Sequence, residues 1–190
     1  MYKIILVLIC ILIMGCAEPS RHKKKCKKHT LVDKVSEECA QTLSKRYNMV
    51  QSAEARTAVD QVQGLFLSFN ISRQLSKDEA RAILIDCAHE VVTTVNNDPS
   101  IQEYLLPGGF TEKNVQIQIS IHPNYKRSFY PNLGICSFKN GKLAFKTRDS
   151  KKVYKSKTRE LETYQEAIAF LKAPSIIENS NNNLKEALVQ

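Results

Sequence analysis

Apolar residues recur along this chain with two different periods, and the switches between them mark its elements. From Thr30, apolar positions fall at Leu31, Val35, Cys39, Leu43, Tyr47 and Val50. Steps of three or four place these on one face of a helix, so the pattern predicts an amphipathic helix from Thr30 to about Val50. Residues 51–60 are polar and without a clear period, leaving open a helical continuation through Glu54-Ala55-Arg56. Leu65, Leu67, Phe69 and Ile71 then alternate with Phe66, Ser68 and Asn70, the period of a strand. Ser76-Lys77-Asp78-Glu79 has the spacing of a capping box and opens a second helix, with Ala80, Ile83, Leu84, Cys87, Val91 and Val95 inward. It stops at Asn96-Asn97-Asp98-Pro99, and a further short helical turn to about Leu105 is closed by Pro107-Gly108-Gly109.

Val115, Ile117, Ile119 and Ile121 alternate with Gln116, Gln118, Ser120 and His122 more cleanly than any other stretch. One face of that strand is buried and the other wet, as in an antiparallel sheet with helices on one side. Leu133 to Phe138 and Lys142 to Thr147 flank Asn140-Gly141, a strong hairpin signal. Val153-Tyr154 suggests a short edge strand among lysines. Thr158 to Lys172 reads as a last helix, with Leu161, Tyr164, Ile168 and Leu171 inward, ended by Pro174. The order α-β-α-β-β-β-α implies one α+β domain over residues 30–173, an antiparallel sheet of about four strands with helices mainly on one face. Residues 174–190, with the Asn179-Ser180-Asn181-Asn182-Asn183 run, read as a disordered tail.

The amino terminus belongs to neither pattern. Lys3 precedes an unbroken apolar run of 11 residues, Ile4 to Met14, and Gly15-Cys16 follows. The run falls short of the roughly 20 residues that span a bilayer. With its charged start and small residue before Cys16, it has the layout of a secretory signal over residues 1–15. Its last four residues, Ile13-Met14-Gly15-Cys16, resemble the lipobox of bacterial lipoproteins. The resemblance implies cleavage before Cys16 and diacylation of that cysteine. With Ala17 rather than Asp after it, the resemblance implies passage to the outer membrane, facing the periplasm. It covers the signal alone, and the globular part resembles no family by its motifs.

That reading relocates the charge. Of the formal net charge of +9, Lys3, Arg21, Lys23, Lys24, Lys25, Lys27 and Lys28 account for seven, leaving +2 for the rest. The basic character thus belongs to residues 16–29, read as a disordered, lipidated tether. A basic run from Arg21 to Lys28 beside an acyl anchor faces anionic headgroups, each residue contributing about 1 kcal/mol near the surface. A solvated spacer is the plainer alternative. Nucleic acid is disfavoured as a partner, because the run carries no aromatic residue for stacking.

Cysteine usage follows from the same compartment. Cys10 leaves with the signal and Cys16 takes lipid, so Cys26, Cys39, Cys87 and Cys136 remain as disulfide candidates with three possible connectivities. Cys26 with Cys39 and Cys87 with Cys136 is the locally simplest pairing, and buried unpaired thiols acting as small hydrophobes are the alternative. His22, Cys26 and His29 have weak metal-ligand spacing, but interleaved cations and a missing fourth ligand argue against a metal. No cofactor is implied. Gly-rich phosphate loops and the G-x-S-x-G and H-E-x-x-H patterns are absent from the sequence. Cys136 with His122 is the one Cys/His pair that neighbouring strands could bring together, the basis of an alternative reading as a tethered hydrolase or thiol enzyme.

The loop 123–132, Pro-Asn-Tyr-Lys-Arg-Ser-Phe-Tyr-Pro-Asn, sets Tyr125, Phe129 and Tyr130 beside Lys126 and Arg127 between two strands. Aromatics and cations on a loop held by a sheet suit a binding surface for a glycan, a peptide or an acidic partner. Phe129 and Tyr130 folding back over the core is the competing expectation. The sequence thus points to a non-enzymatic envelope binding or scaffolding module. Its expected surface is the wet face (Gln116, Gln118, Ser120, His122) together with this loop.

Overall fold

The structure, a computed structural model, describes residues 20–58, 62–152 and 155–173, and no side chains for 20–29 or 55–58. Helix α1 spans Ser20–Tyr47, strands β1 and β2 Met49–Ala58 and Val62–Ile71, helix α2 Lys77–Asn97, and strand β3 Val115–Ile121. Strands β4 (Leu133–Lys139), β5 (Lys142–Arg148) and β6 (Ser156–Thr163) and helix α3 (Tyr164–Lys172) complete the order. The fold is α+β. Its sheet has six strands in the order β1-β2-β3-β4-β5-β6, larger than the four strands the sequence suggested.

The sheet is also not purely antiparallel. β2 and β3 run parallel, Leu65 opposite Val115 through Ile71 opposite Ile121, while the other neighbouring pairs are antiparallel. Two parallel neighbours need a crossover, and α2 supplies it. Ser76 caps this helix through its side chain, which accepts from the Glu79 N–H at 3.1 Å. The reciprocal half of the expected box is missing, because the Glu79 carboxylate pairs with Arg73 instead.

Three boundaries depart from the sequence expectation. The backbone of α1 is helical from Ser20, not from Thr30, so the expected disordered tether is helix from Ser20 onward. At its other end α1 stops at Tyr47, where Asn48 adopts φ 49°, a left-handed residue that commonly ends a helix. Val50 therefore lies on β1 and is 70 % exposed. The ambiguous stretch after it is β1, paired with β2 from Met49 opposite Ile71 onward. The expected last helix is divided: residues 156–163 form edge strand β6, and the helix starts at Tyr164 behind a complete capping box between Thr163 and Glu166. Leu161, expected inward, is 58 % exposed. Val153-Tyr154 and residues 174–190 lie outside the described residues.

One core holds the fold. Val32, Val35, Cys39, Ala40 and Leu43 of α1, the Ala80 to Val95 face of α2 and Ala167 of α3 meet one face of the sheet. That face carries Leu65, Leu67, Phe69, Ile117, Ile119, Cys136, Phe138, Leu143 and Phe145. On the opposite face Gln116, Gln118 and Ser120 line up with Phe66, Ser68 and Asn70 of β2, and with Lys139, Ser137 and Ile135 of β4. Among the described residues no helix packs over it. No described helix is long and apolar enough to cross a membrane.

Candidate functional site

The parallel pair β2–β3 ends where the chain turns into α2, and the 123–132 loop is fastened there by backbone hydrogen bonds. The His122 N–H donates to the Ile71 carbonyl at 2.8 Å and the Asn124 N–H to the Ser72 carbonyl at 2.9 Å. The buried Ser128 hydroxyl donates to Gln74 Oε1 at 2.9 Å, and the Tyr130 N–H donates to the Arg148 carbonyl at 3.0 Å. The loop is therefore tied to the end of β2, to the segment leading into α2 and to β5. In open sheets, the space beyond the carboxyl ends of parallel strands is where ligands commonly bind.

On this frame the aromatic residues separate. Tyr125 is 91 % exposed and Tyr130 51 %, while Phe129 is half-buried. Asn124 and Tyr125 both have positive φ, 50° and 61°. A bulky side chain in that region is strained, and such strain gathers at functional positions. Here the ring gains no burial in return. Lys157 Nζ stands 4.1 Å from the centroid of the Tyr130 ring, a cation held on an exposed aromatic.

The loop's charges are unbalanced. Residues 123–132 and 148–157 carry Lys126, Arg127, Arg148, Lys151, Lys152, Lys155 and Lys157 against the single acid Asp149. Among the described residues none of these seven forms an ion pair. Elsewhere four cations are matched: Arg46 pairs with Asp86 and Glu90, Arg73 with Glu79, Lys77 with Glu160 and Glu162, and Arg81 with Asp78 and Glu162. The Arg46 pairs join α1 to α2, the Lys77 and Arg81–Glu162 pairs join α2 to β6, and the end of the sheet carrying the seven cations has only the acid Asp149.

Arg148, which sequence patterns did not single out, is the centre of that end. Its Nη1 is buried without a hydrogen-bond partner among the described residues. Burial and then the neighbouring Arg127 lower its proton affinity. His122 is half-buried close by, its pKa held below 6.5 by burial first and then by Arg148 and Arg127. Gly134 makes room: a Cβ there would lie 2.8 Å from Arg148 Cγ and 3.0 Å from the Ser128 carbonyl oxygen. Arg148 and Arg127 are far apart in sequence, and only the β4–β5 hairpin brings them together.

The other expected residues fall as follows. Gln116, Gln118, Ser120 and His122 are half-buried along the face without helices, and Lys126 and Arg127 are exposed. Cys39, Cys87 and Cys136 are free, buried thiols, so neither Cys87–Cys136 nor any other pair of these three is bridged. Cys26, His22 and His29 belong to the residues whose side chains are not described. The Cys136–His122 pair does not form. Cys136 lies opposite Ile119 and Phe145 on the covered face, whereas His122 stands three positions beyond Ile119 and points the other way. Burial pushes the Cys136 thiol up to about 12, the opposite of what a nucleophile needs. No described group of His, Cys, Asp or Glu has a metal-binding arrangement.

Comparison with known proteins finds no family model, no curated protein and no solved structure that matches this chain.

Proposed function

We propose that this chain is a bacterial envelope lipoprotein, anchored through Cys16 at the outer membrane, whose α+β domain is a non-enzymatic module binding an anionic envelope component. The carrying observation is the tied-down loop that holds Tyr125 and Tyr130 in solvent beside cations with no described acidic partner. A solvated surface needs neither a strained, exposed tyrosine nor hydrogen bonds to two strands and their connection to fix it. The basic run from Arg21 to Lys28 adds attraction to the same membrane, and two acyl chains make the attachment lasting. The thiol-enzyme alternative lacks both its geometry and its thiolate.

Palmitate labelling tests the anchor: wild type incorporates label and Cys16→Ser does not. Recovery of bound envelope components on the full-length protein tests the surface. Wild type retains a component that is released by salt and is absent from Tyr125→Ala/Tyr130→Ala protein. Equal recovery by both would remove the loop from the account.

A further inference from the structure

The cationic end of the sheet holds one group that a general attraction to anions does not explain. Arg148 Nη1 is a buried donor on a charged side chain, with no acceptor among the described residues. Leaving such a group unsatisfied is costly, more so when it is charged. The fold treats its one buried arginine among the described residues differently. Arg81, 3 % exposed, has Nε, Nη1 and Nη2 each on a carboxylate oxygen within 2.7 Å. Arg148 is instead brought near a second guanidinium, Arg127, and near the imidazole of His122.

We infer that Arg148, Arg127 and His122 form an oxyanion subsite for a phosphate group, with Arg148 as its floor. This rests on the reading of this end as the binding surface and names what that surface recognises. Two guanidinium forks and an imidazole offer more positive charge than one carboxylate can balance. A phosphate monoester brings −1.5 to −2 charge at pH 7 and three acceptor oxygens, which suits several neighbouring donors. Guanidinium groups match phosphate oxygens in pairs, and burial of Arg148 Nη1 makes its hydrogen bond worth more than a surface contact. His122, short of protons when no anion is near, gains one as phosphate approaches, because an adjacent negative charge favours the imidazolium. Arg148 on β5 and Arg127 on the loop both act on it electrostatically. Gly134 is part of the device, since any side chain there would displace the Arg148 stem.

The test uses the full-length protein in non-ionic detergent, with inorganic phosphate titrated against chloride at constant ionic strength. Calorimetry follows binding, and NMR follows the His122 imidazole. Saturable binding of phosphate, weaker binding of acetate and a rise of the His122 pKa in phosphate are expected. Arg127→Gln and Arg148→Met each weaken binding about tenfold or more, the scale of a lost charged hydrogen bond. Arg127 is exposed, so its variant reports even if Arg148→Met fails to fold. Absence of saturable phosphate binding, equal binding of acetate, or an unchanged Arg127→Gln protein would overturn the subsite.

Two further arms find the source of the phosphate. A response to glycerol 3-phosphate supports a soluble or sugar-borne group. Tighter binding to nanodiscs containing phosphatidic acid than to glycerol 3-phosphate, on top of the inorganic phosphate response, supports a lipid headgroup. If phosphate fails while recovery of an envelope component still depends on Tyr125 and Tyr130, the subsite falls and the binding surface stands. If both fail, both fall.

Discussion

Arg81 of α2 and Glu162 of β6 meet fork to fork, Nε to Oε2 and Nη2 to Oε1 both at 2.7 Å, with the guanidinium 3.8 Å from the Phe170 ring centroid of α3. Three elements are locked at one point. Removing one partner of a buried pair strands the other charge, which typically costs about 3–5 kcal/mol. Glu162→Ala is therefore expected to destabilise the domain by about 3 kcal/mol, the low end because Asp78 still reaches Arg81. Urea unfolding checks this, with the midpoint falling at constant slope.

The same carboxylate gives a pH signature. Hydrogen bonds from Arg81, and then from Lys77, hold Glu162 at about 2 in the folded protein against an ordinary 4.5. The unfolded chain binds the proton first on acidification, so this contribution is complete above pH 4.5 and is lost as the pH falls toward 2. His122 acts earlier in the same direction. Its folded pKa is below 6.5, so the unfolded chain again binds more protons, and stability falls as the pH drops through 6.5. Thermal midpoints against pH are expected to decline in two stages. His122→Gln flattens the upper stage and Glu162→Gln the lower.

Gly134→Ala is the sharpest steric prediction. The new methyl would meet the Ser128 carbonyl oxygen at 3.0 Å and Arg148 Cγ at 2.8 Å, and backbone yields less than a side-chain stem. Overpacking of this kind costs typically about 1–3 kcal/mol. A lower thermal midpoint together with weaker phosphate binding is expected, a coupling that an unrelated destabilising change would not give.

Burial makes a prediction for the thiols. Cys39 and Cys136 are pushed up to about 12 and Cys87 well above its ordinary value, desolvation being the largest cause in each. Iodoacetamide at pH 8 should leave all three unmodified in the native protein and label them in urea, as mass spectrometry would show. Rapid native labelling of Cys136 would restore the case for a thiol enzyme.

Where one period ran uninterrupted, the sequence was readable. The face Ala80 to Val95 of α2 and the alternation of β3 stand where the pattern put them, and Asn140-Gly141 turns with φ of 52° and 68°. β1 was obscured because Ala53, Glu54, Ala55 and Arg56 favour helix, and pairing with β2 decides their conformation. β6 was obscured likewise by Arg159-Glu160-Leu161-Glu162, although Thr163-x-x-Glu166 was a capping signal marking the true start of α3. The parallel pair was implicit in a strand, a helix and a strand in succession. Of the candidate site, Tyr125, Lys126, Arg127 and His122 were visible as residue types. Arg148 and Gly134 were not, since their part depends on a contact between β4 and β5 that no local spacing records.

The central claim is that the end of the sheet carrying Tyr125 is the surface that meets an envelope component. A photoreactive residue at position 125, compared in intact cells with one at Lys142 at the opposite end of the sheet, tests it most directly. Crosslinking to one defined component from position 125, and none from position 142, is the predicted result. Equal yields from the two positions, or none from either, would contradict it.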